Sequence, residues 1–205
     1  VNDYPEDLHG SRRPEDLDLD IDPTAIKKQE ITNWSAHCGE FQVPMGSFIP
    51  ETLDGFLVAE KNLSQSRLAN GATRLQPSTM NNGQAAGNIA ALCVKYNCQP
   101  RQLPAILVQW EQVKAKSPLW FKQISDVPIE SNLWNYVQMA LQKGYFKLEY
   151  GRFFPENLVE PKEMDYILQK SGLVGLISPE TKITRNQFIK KVIDAELDNS
   201  KKNLI

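Results

Sequence analysis

Apolar and polar positions divide the chain into a polar opening and a largely periodic remainder. Residues 1–33 are charged and turn-rich, broken by Pro5, Gly10, Pro14 and Pro23. Within them DLDLDID alternates acid with Leu or Ile, placing Asp16, Asp18, Asp20 and Asp22 on one face of an exposed loop or edge. Solvation explains such a face, and the Gly and terminal Glu of a calcium loop are missing. EFQVPMGSFIP reads as two short extended pieces around Pro44-Met45-Gly46. The run Phe56-Leu57-Val58-Ala59 predicts a buried strand ending at the carboxylate of Glu60. A helix is predicted from Asn82 or Gly83 to Tyr96, preceded by the capping residues Ser78, Thr79, Asn81 and Asn82. RQLPAILVQWEQVKAK, residues 101–116, carries Leu103, Ile106, Leu107 and Trp110 at helical spacing. After a linker at Ser117-Pro118, helices are predicted at 132–143, 161–171 and 185–197, with an extended piece near Phe153-Phe154. Thr184 suits the cap of the last helix, and Pro161 the first turn of its predecessor.

Composition narrows the function classes. The chain has 205 residues, enough for one large domain or two small ones, with 23 Lys+Arg against 25 Asp+Glu and a net charge of −2. No global positive field gathers phosphates, so a nucleic-acid partner or an anionic membrane surface is not expected. No apolar run approaches the ~20 residues of a membrane span. The opening VNDYPEDLHG has neither an initiator Met nor the apolar segment of a signal peptide, so a processed product or fragment is expected. Cys93, inside AALCV, reads as a buried free thiol, and Cys98 follows it near a helix end. With Cys38 and only His9 and His37 beside them, no metal site is expected.

The segment 61–98 carries the chemistry. Gly83 and Gly87 share a helical face with small residues, and Gly inside a helix costs up to ~1 kcal/mol against Ala. Two explanations stand: close helix packing on a sheet, or a helix N-terminus directed at a ligand, where free N–H groups present positive potential. An apolar strand that ends in a carboxylate fits the second, because ligands of α/β folds bind beyond the carboxyl ends of strands.

Over residues 41–98 the series VPMGSFIPETLDGFLVAEKNLSQSRLANGATRLQPSTMNNGQAAGNIAALCVK resembles the C-terminal signature of FAD-dependent oxidoreductases with a glutathione-reductase-type FAD domain. The matching positions are Phe56 to Glu60, Ala69-Asn70-Gly71, Arg74, Pro77 and Gly83 to Gly87; Asn2 to Pro5 resembles the region upstream. The resemblance implies an α/β fold, here the C-terminal portion of an FAD-binding domain over residues 1–116, and FAD as cofactor. It implies that Glu60, where many relatives have Gly, lies beside the flavin ribityl chain. It implies that backbone N–H groups of Met80, Asn81, Asn82, Gly83 and Gln84 stabilise charge on the reduced flavin. Asn70, Arg74 and His37 become the substrate-side candidates, each with an ordinary structural role as the competing explanation. The family's Gly-x-Gly-x-x-Gly turn for the pyrophosphate is absent from the sequence. The remaining FAD-binding part is therefore expected in the same precursor or another chain, and this chain alone is not expected to be active on its small-molecule substrate.

Residues 117–205 are expected to form a small, mainly α-helical domain. They resemble a diverged S-layer homology repeat at Phe121, Asp126-Val127, Trp134, Gly144, Phe153-Phe154-Pro155 and Glu163, with a partial second copy at Ile183-Thr184-Arg185. In that family the Arg helps bind anionic cell-wall polymer, which makes such a polymer a partner candidate and favours the cell envelope or periplasm over the cytoplasm. Pro161 replaces the Thr-Arg pair of the first copy, and a polymer site needs several repeats, so a packing domain is the preferred expectation.

Overall fold

The computed structural model describes residues 2–5, 37–116, 122–177 and 182–204; the acidic alternation at residues 16–22 and Phe121 lie outside them. The chain forms two compact units, Val1–Arg101 and Gln102–Ile205. The helix at Ala105–Lys114, expected within the part that ends at residue 116, lies in the second of these units.

In the first unit, strand β1 (Asn2–Pro5) pairs antiparallel with β2 (His37–Phe41), with Asn2 opposite Phe41 and Asp3 opposite Glu40. A 3-10 helix at Met45–Phe48 buries Phe48. Helix α1 (Arg67–Thr73) starts where Ser66 Oγ accepts from the Ala69 N–H at 3.1 Å. Helix α2 (Gln76–Tyr96) follows almost directly and packs on α1. Phe48, Leu63, Ala72, Ala86, Ile89 and Leu92 make the core.

Two expectations for this unit are corrected. Phe56 to Ala59 is irregular chain, and Phe56 is 51% exposed. Its backbone is tied only locally, with the Val58 N–H donating to Phe48 O at 2.9 Å. An apolar run becomes a buried strand only where neighbouring strands can pair with it, and the sole sheet among the described residues is the β1–β2 pair. The described residues are thus mainly helical, and they do not display the sheet of an α/β fold. Second, α2 begins at Gln76 and not at Asn82 or Gly83. Pro77 sits in its first turn, where a missing N–H and a fixed φ suit a helix start.

The second unit follows its sequence pattern closely. Helices α3 (Ala105–Lys114), α4 (Asn132–Gln142), α5 (Pro161–Ser171) and α6 (Arg185–Lys202) form it, with α6 packed against the other three. The predicted helix at 101–116 is shorter, because Pro100–Gln102 forms a 3-10 turn and Pro104 is the cap. The side chains Phe188, Ile189, Val192, Ile193 and Leu197 give α6 a continuous buried stripe. Each contributes roughly 1.5–3 kcal/mol of burial. The Phe153-Phe154 corner is held by Asp126, whose carboxylate accepts from the N–H groups of Phe153 at 2.8 Å and Phe154 at 2.7 Å. No helix among the described residues is long and apolar enough to cross a membrane.

Candidate functional site

The first turns of α2 hold an unusual run of buried polar side chains: Ser78, Thr79, Asn81 and Asn82. Polar groups removed from water need partners. Ser78 Oγ donates to Ala72 O at 3.4 Å, and Thr79 Oγ1 to Gln76 O at 2.9 Å. Asn82 Nδ2 reaches Glu60 O at 3.5 Å, a long contact. Thr73, also buried, donates to Gln65 Oε1, and Gln65 Nε2 reaches Lys61 O at 3.4 Å. These contacts fasten the loop after Glu60, helix α1 and the start of α2 into one polar corner.

Among the described residues, neither the cap nor the first turn of α2 compensates the dipole at its start. Leu75 at the N-cap makes no side-chain cap bond, Pro77 has no N–H, and no acid lies in the first turn. The unpaired donors of a helix belong to its first turn. The N–H groups of Met80, Asn81, Asn82, Gly83 and Gln84, expected to be free, lie instead in the interior of the helix, where each bonds one turn back. The Thr79 N–H already bonds Leu75 O at 2.9 Å. The donor end therefore moves to Gln76 and Ser78.

The face of α2 formed by Met80, Gly83, Gly87, Ala90 and Val94 is exposed in this chain; Met80 is 70% and Val94 84% exposed. A Cβ added at Gly83 or Gly87 meets nothing within 4 Å. Among the described residues of the first unit, close packing is thus not what these glycines serve.

The other candidates separate. Glu60 adopts φ 63°, the left-handed region in which Gly is favoured. Its carboxylate is exposed, 3.9 Å from Lys61 Nζ, while its carbonyl meets Asn82. Asn70 is half-buried on α1 and its carbonyl accepts the Arg74 N–H at 3.1 Å; Arg74 is the half-buried C-cap of that helix. His37 opens β2. The Asn82 side chain and the Glu60 carbonyl are brought together across 22 residues of sequence.

Sequence reasoning missed Arg101. Its guanidinium pairs with Asp54 at 2.7 Å and donates to the carbonyls of Glu51, Leu53 and Pro50, at 3.0, 3.1 and 3.3 Å. This fork fixes the 50–55 loop. The nearest of these partners lies 47 residues away in sequence, so no local pattern announces it.

In the second unit an open hollow of ≈ 640 Å³ is lined by Lys122, Ile124, Trp134 and Tyr150 among others. Arg185 does not face it. Arg185 donates to Phe153 O at 3.0 Å and to Glu149 Oε1 at 3.2 Å, lies over the Phe146 ring at 5.4 Å, and has Glu163 at 3.8 Å. Burial raises the Glu163 carboxyl above its usual 4.5, with Arg185 opposing and Glu149 and Glu160 adding to the rise. Among the described residues no group of His, Cys, Asp and Glu is arranged to hold a metal ion.

Comparison with known proteins gives a family for the first part of the chain. The family model described as FAD dependent oxidoreductase matches residues 1–115. No curated protein and no solved structure matches the chain. The match spans more than half of the sequence, and the family's cofactor is FAD. The chain belongs to the FAD dependent oxidoreductase family.

Proposed function

We propose that this chain supplies the flavin-facing end of an FAD-dependent oxidoreductase acting on a small organic molecule. The observation that carries this reading is the uncompensated N-terminus of α2, without cap bond or first-turn acid, inside the segment the family model matches. Its donor set fits FAD: backbone N–H groups at Gln76 and Ser78 and a positive dipole end suit the electron-rich pyrimidine edge of a flavin. The chemistry supplied by bound FAD is two-electron oxidation of the substrate by hydride transfer.

The chain's own residues position and polarise. The buried Ser78 and Asn82 hold α1 and the Glu60 loop against α2, so the helix start is fixed before any cofactor arrives. Preorganised donors lose no energy to reorientation when charge develops. Glu60 is the candidate acceptor for a ribityl hydroxyl, and Asn70, Arg74 and His37 remain the substrate-side candidates. The parallel sheet and the pyrophosphate turn are assigned to protein outside this sequence, in the same precursor or in another chain. The exposed small-residue face of α2 is the surface we assign to contact with that part. Residues 117–205 are read as an appended helical packing domain. The polymer-binding alternative has no specific observation in its favour, since Arg185 is spent on internal partners.

Gln76→Glu tests this reading. Gln76 is exposed. An acid in the first turn strengthens the helix by about 0.3–1 kcal/mol through its dipole. The same charge opposes electron density arriving at the flavin. The expected result in the flavin-loaded protein is a lower flavin reduction potential with an unchanged or raised unfolding midpoint. An unaltered potential would show that the α2 start is remote from the flavin.

A further inference from the structure

The C-terminal end of α2 closes in a way that pairs two thiols. Asn97 adopts φ 48°, ψ 50°, the left-handed residue that terminates many helices. The Cys98 N–H donates to Cys93 O at 3.0 Å, and the Asn97 N–H to Val94 O at 3.4 Å. This is the 6→1 and 5→2 bond pair of a Schellman motif, with Cys93 four residues before the left-handed Asn97 and Cys98 just beyond it. In that motif the side chains at these two positions contact each other and are ordinarily apolar. Here both are free cysteines, and both are partly exposed.

We propose that Cys93 and Cys98 form a dithiol–disulfide site that low-molecular-weight disulfides oxidise and low-molecular-weight thiols reduce. A disulfide joins Cα atoms roughly 4.4–6.8 Å apart, and a direct backbone N–H···O=C bond between the same two residues keeps them in that neighbourhood. The sulfurs interact already: the Cys93 thiol is pushed up to about 11, first by burial and then by the charge and hydrogen bond of Cys98. Cys93 is thereby held as the protonated partner, which leaves Cys98 to attack first. The Cys98 thiolate attacks one sulfur of the disulfide RSSR, giving a mixed disulfide and releasing RS⁻. Cys93 then loses its proton to solvent and attacks the Cys98 sulfur, expelling the second RS⁻. In total two cysteine thiols are oxidised to one disulfide, and RSSR is reduced to two RSH. Closure of so short a ring fixes the Asn97 turn. The site is independent of the flavin reading, because it uses only residues of the α2 end.

The test is equilibration of the full chain in glutathione redox buffers, followed by acid quenching, alkylation and mass mapping. Trypsin cuts after Lys95, between the two cysteines, so a disulfide holds the resulting fragments together until reduction. The expected result is joint loss of the Cys93 and Cys98 thiols, a mass lower by two hydrogen atoms, and fragments linked across the Lys95 cut. Cys93→Ser should trap the glutathione adduct on Cys98, while Cys98→Ser should leave Cys93 unmodified at neutral pH. Separate glutathione adducts on both sulfurs of the unsubstituted chain, linkage of either to Cys38, or two persistent thiols in fully oxidised buffer would each overturn the proposal.

Discussion

Replacing Arg185 separates a residue that holds the second unit together from one kept for a ligand. Its side chain is 13% exposed and satisfies the carbonyl of Phe153, the corner also held by Asp126. A charge-assisted bond of this kind contributes about 1.5–3 kcal/mol. The guanidinium over Phe146 adds about 0.5–1 kcal/mol. The pair with Glu149, which is 58% exposed, adds less than about 1 kcal/mol because solvent screens it. Arg185→Ala should therefore destabilise the unit by about 3 kcal/mol, after allowance for contacts that share one side chain. With a urea slope of roughly 1–3 kcal/mol/M, the midpoint falls by about 1–3 M. Arg185→Lys keeps the charge without the planar fork, and its loss should be about half as large. The assay is urea unfolding of the full chain followed by tryptophan fluorescence, with Trp134 buried in the same unit. A midpoint for Arg185→Ala indistinguishable from the parent's would refute the structural role. Cell-wall polymer should be retained equally poorly by the parent chain and by the still-folded Arg185→Lys variant.

Two further outcomes follow from the same geometry. Glu163 has a raised folded pKa, so the folded state holds its proton more tightly than the unfolded one, and stability falls as pH rises from 4.5 through the raised value. Glu163→Gln should gain stability relative to the parent over that window, read from paired urea midpoints, and a gap that does not vary with pH contradicts the assignment. Gly83→Ala and Gly87→Ala meet open space in this chain and should each stabilise it by up to ~1 kcal/mol. In the flavin-loaded protein the same changes should lower flavin content, and unaltered content would show that this face of α2 is not covered.

The second unit was legible because its signals are local. Thr184 and Gln187 form a reciprocal capping box, Pro161 opens α5, and Gly172 closes it in the left-handed region. Each needs only its neighbours within one turn. The start of α2 was misplaced because Ser78, Thr79, Asn81 and Asn82 are typical of caps, whereas here all four are buried and the side chains of Ser78, Thr79 and Asn82 bond Ala72, Gln76 and Glu60. Pro77 was the better marker of the start. Phe56 to Ala59 reads as a strand from its apolarity alone, but pairing depends on strands that the described residues do not contain. Family membership was readable from the ordered series between Phe56 and Gly87, while the role of Arg101 was not, because its partners are distant in sequence.

The most direct test of the central claim is the cofactor content of the native protein purified from its source with this chain intact. The account predicts the absorption bands of oxidised flavin, their bleaching on reduction, and FAD recovered in proportion to the chain after denaturation. Native protein that carries this chain and yields no flavin would contradict it.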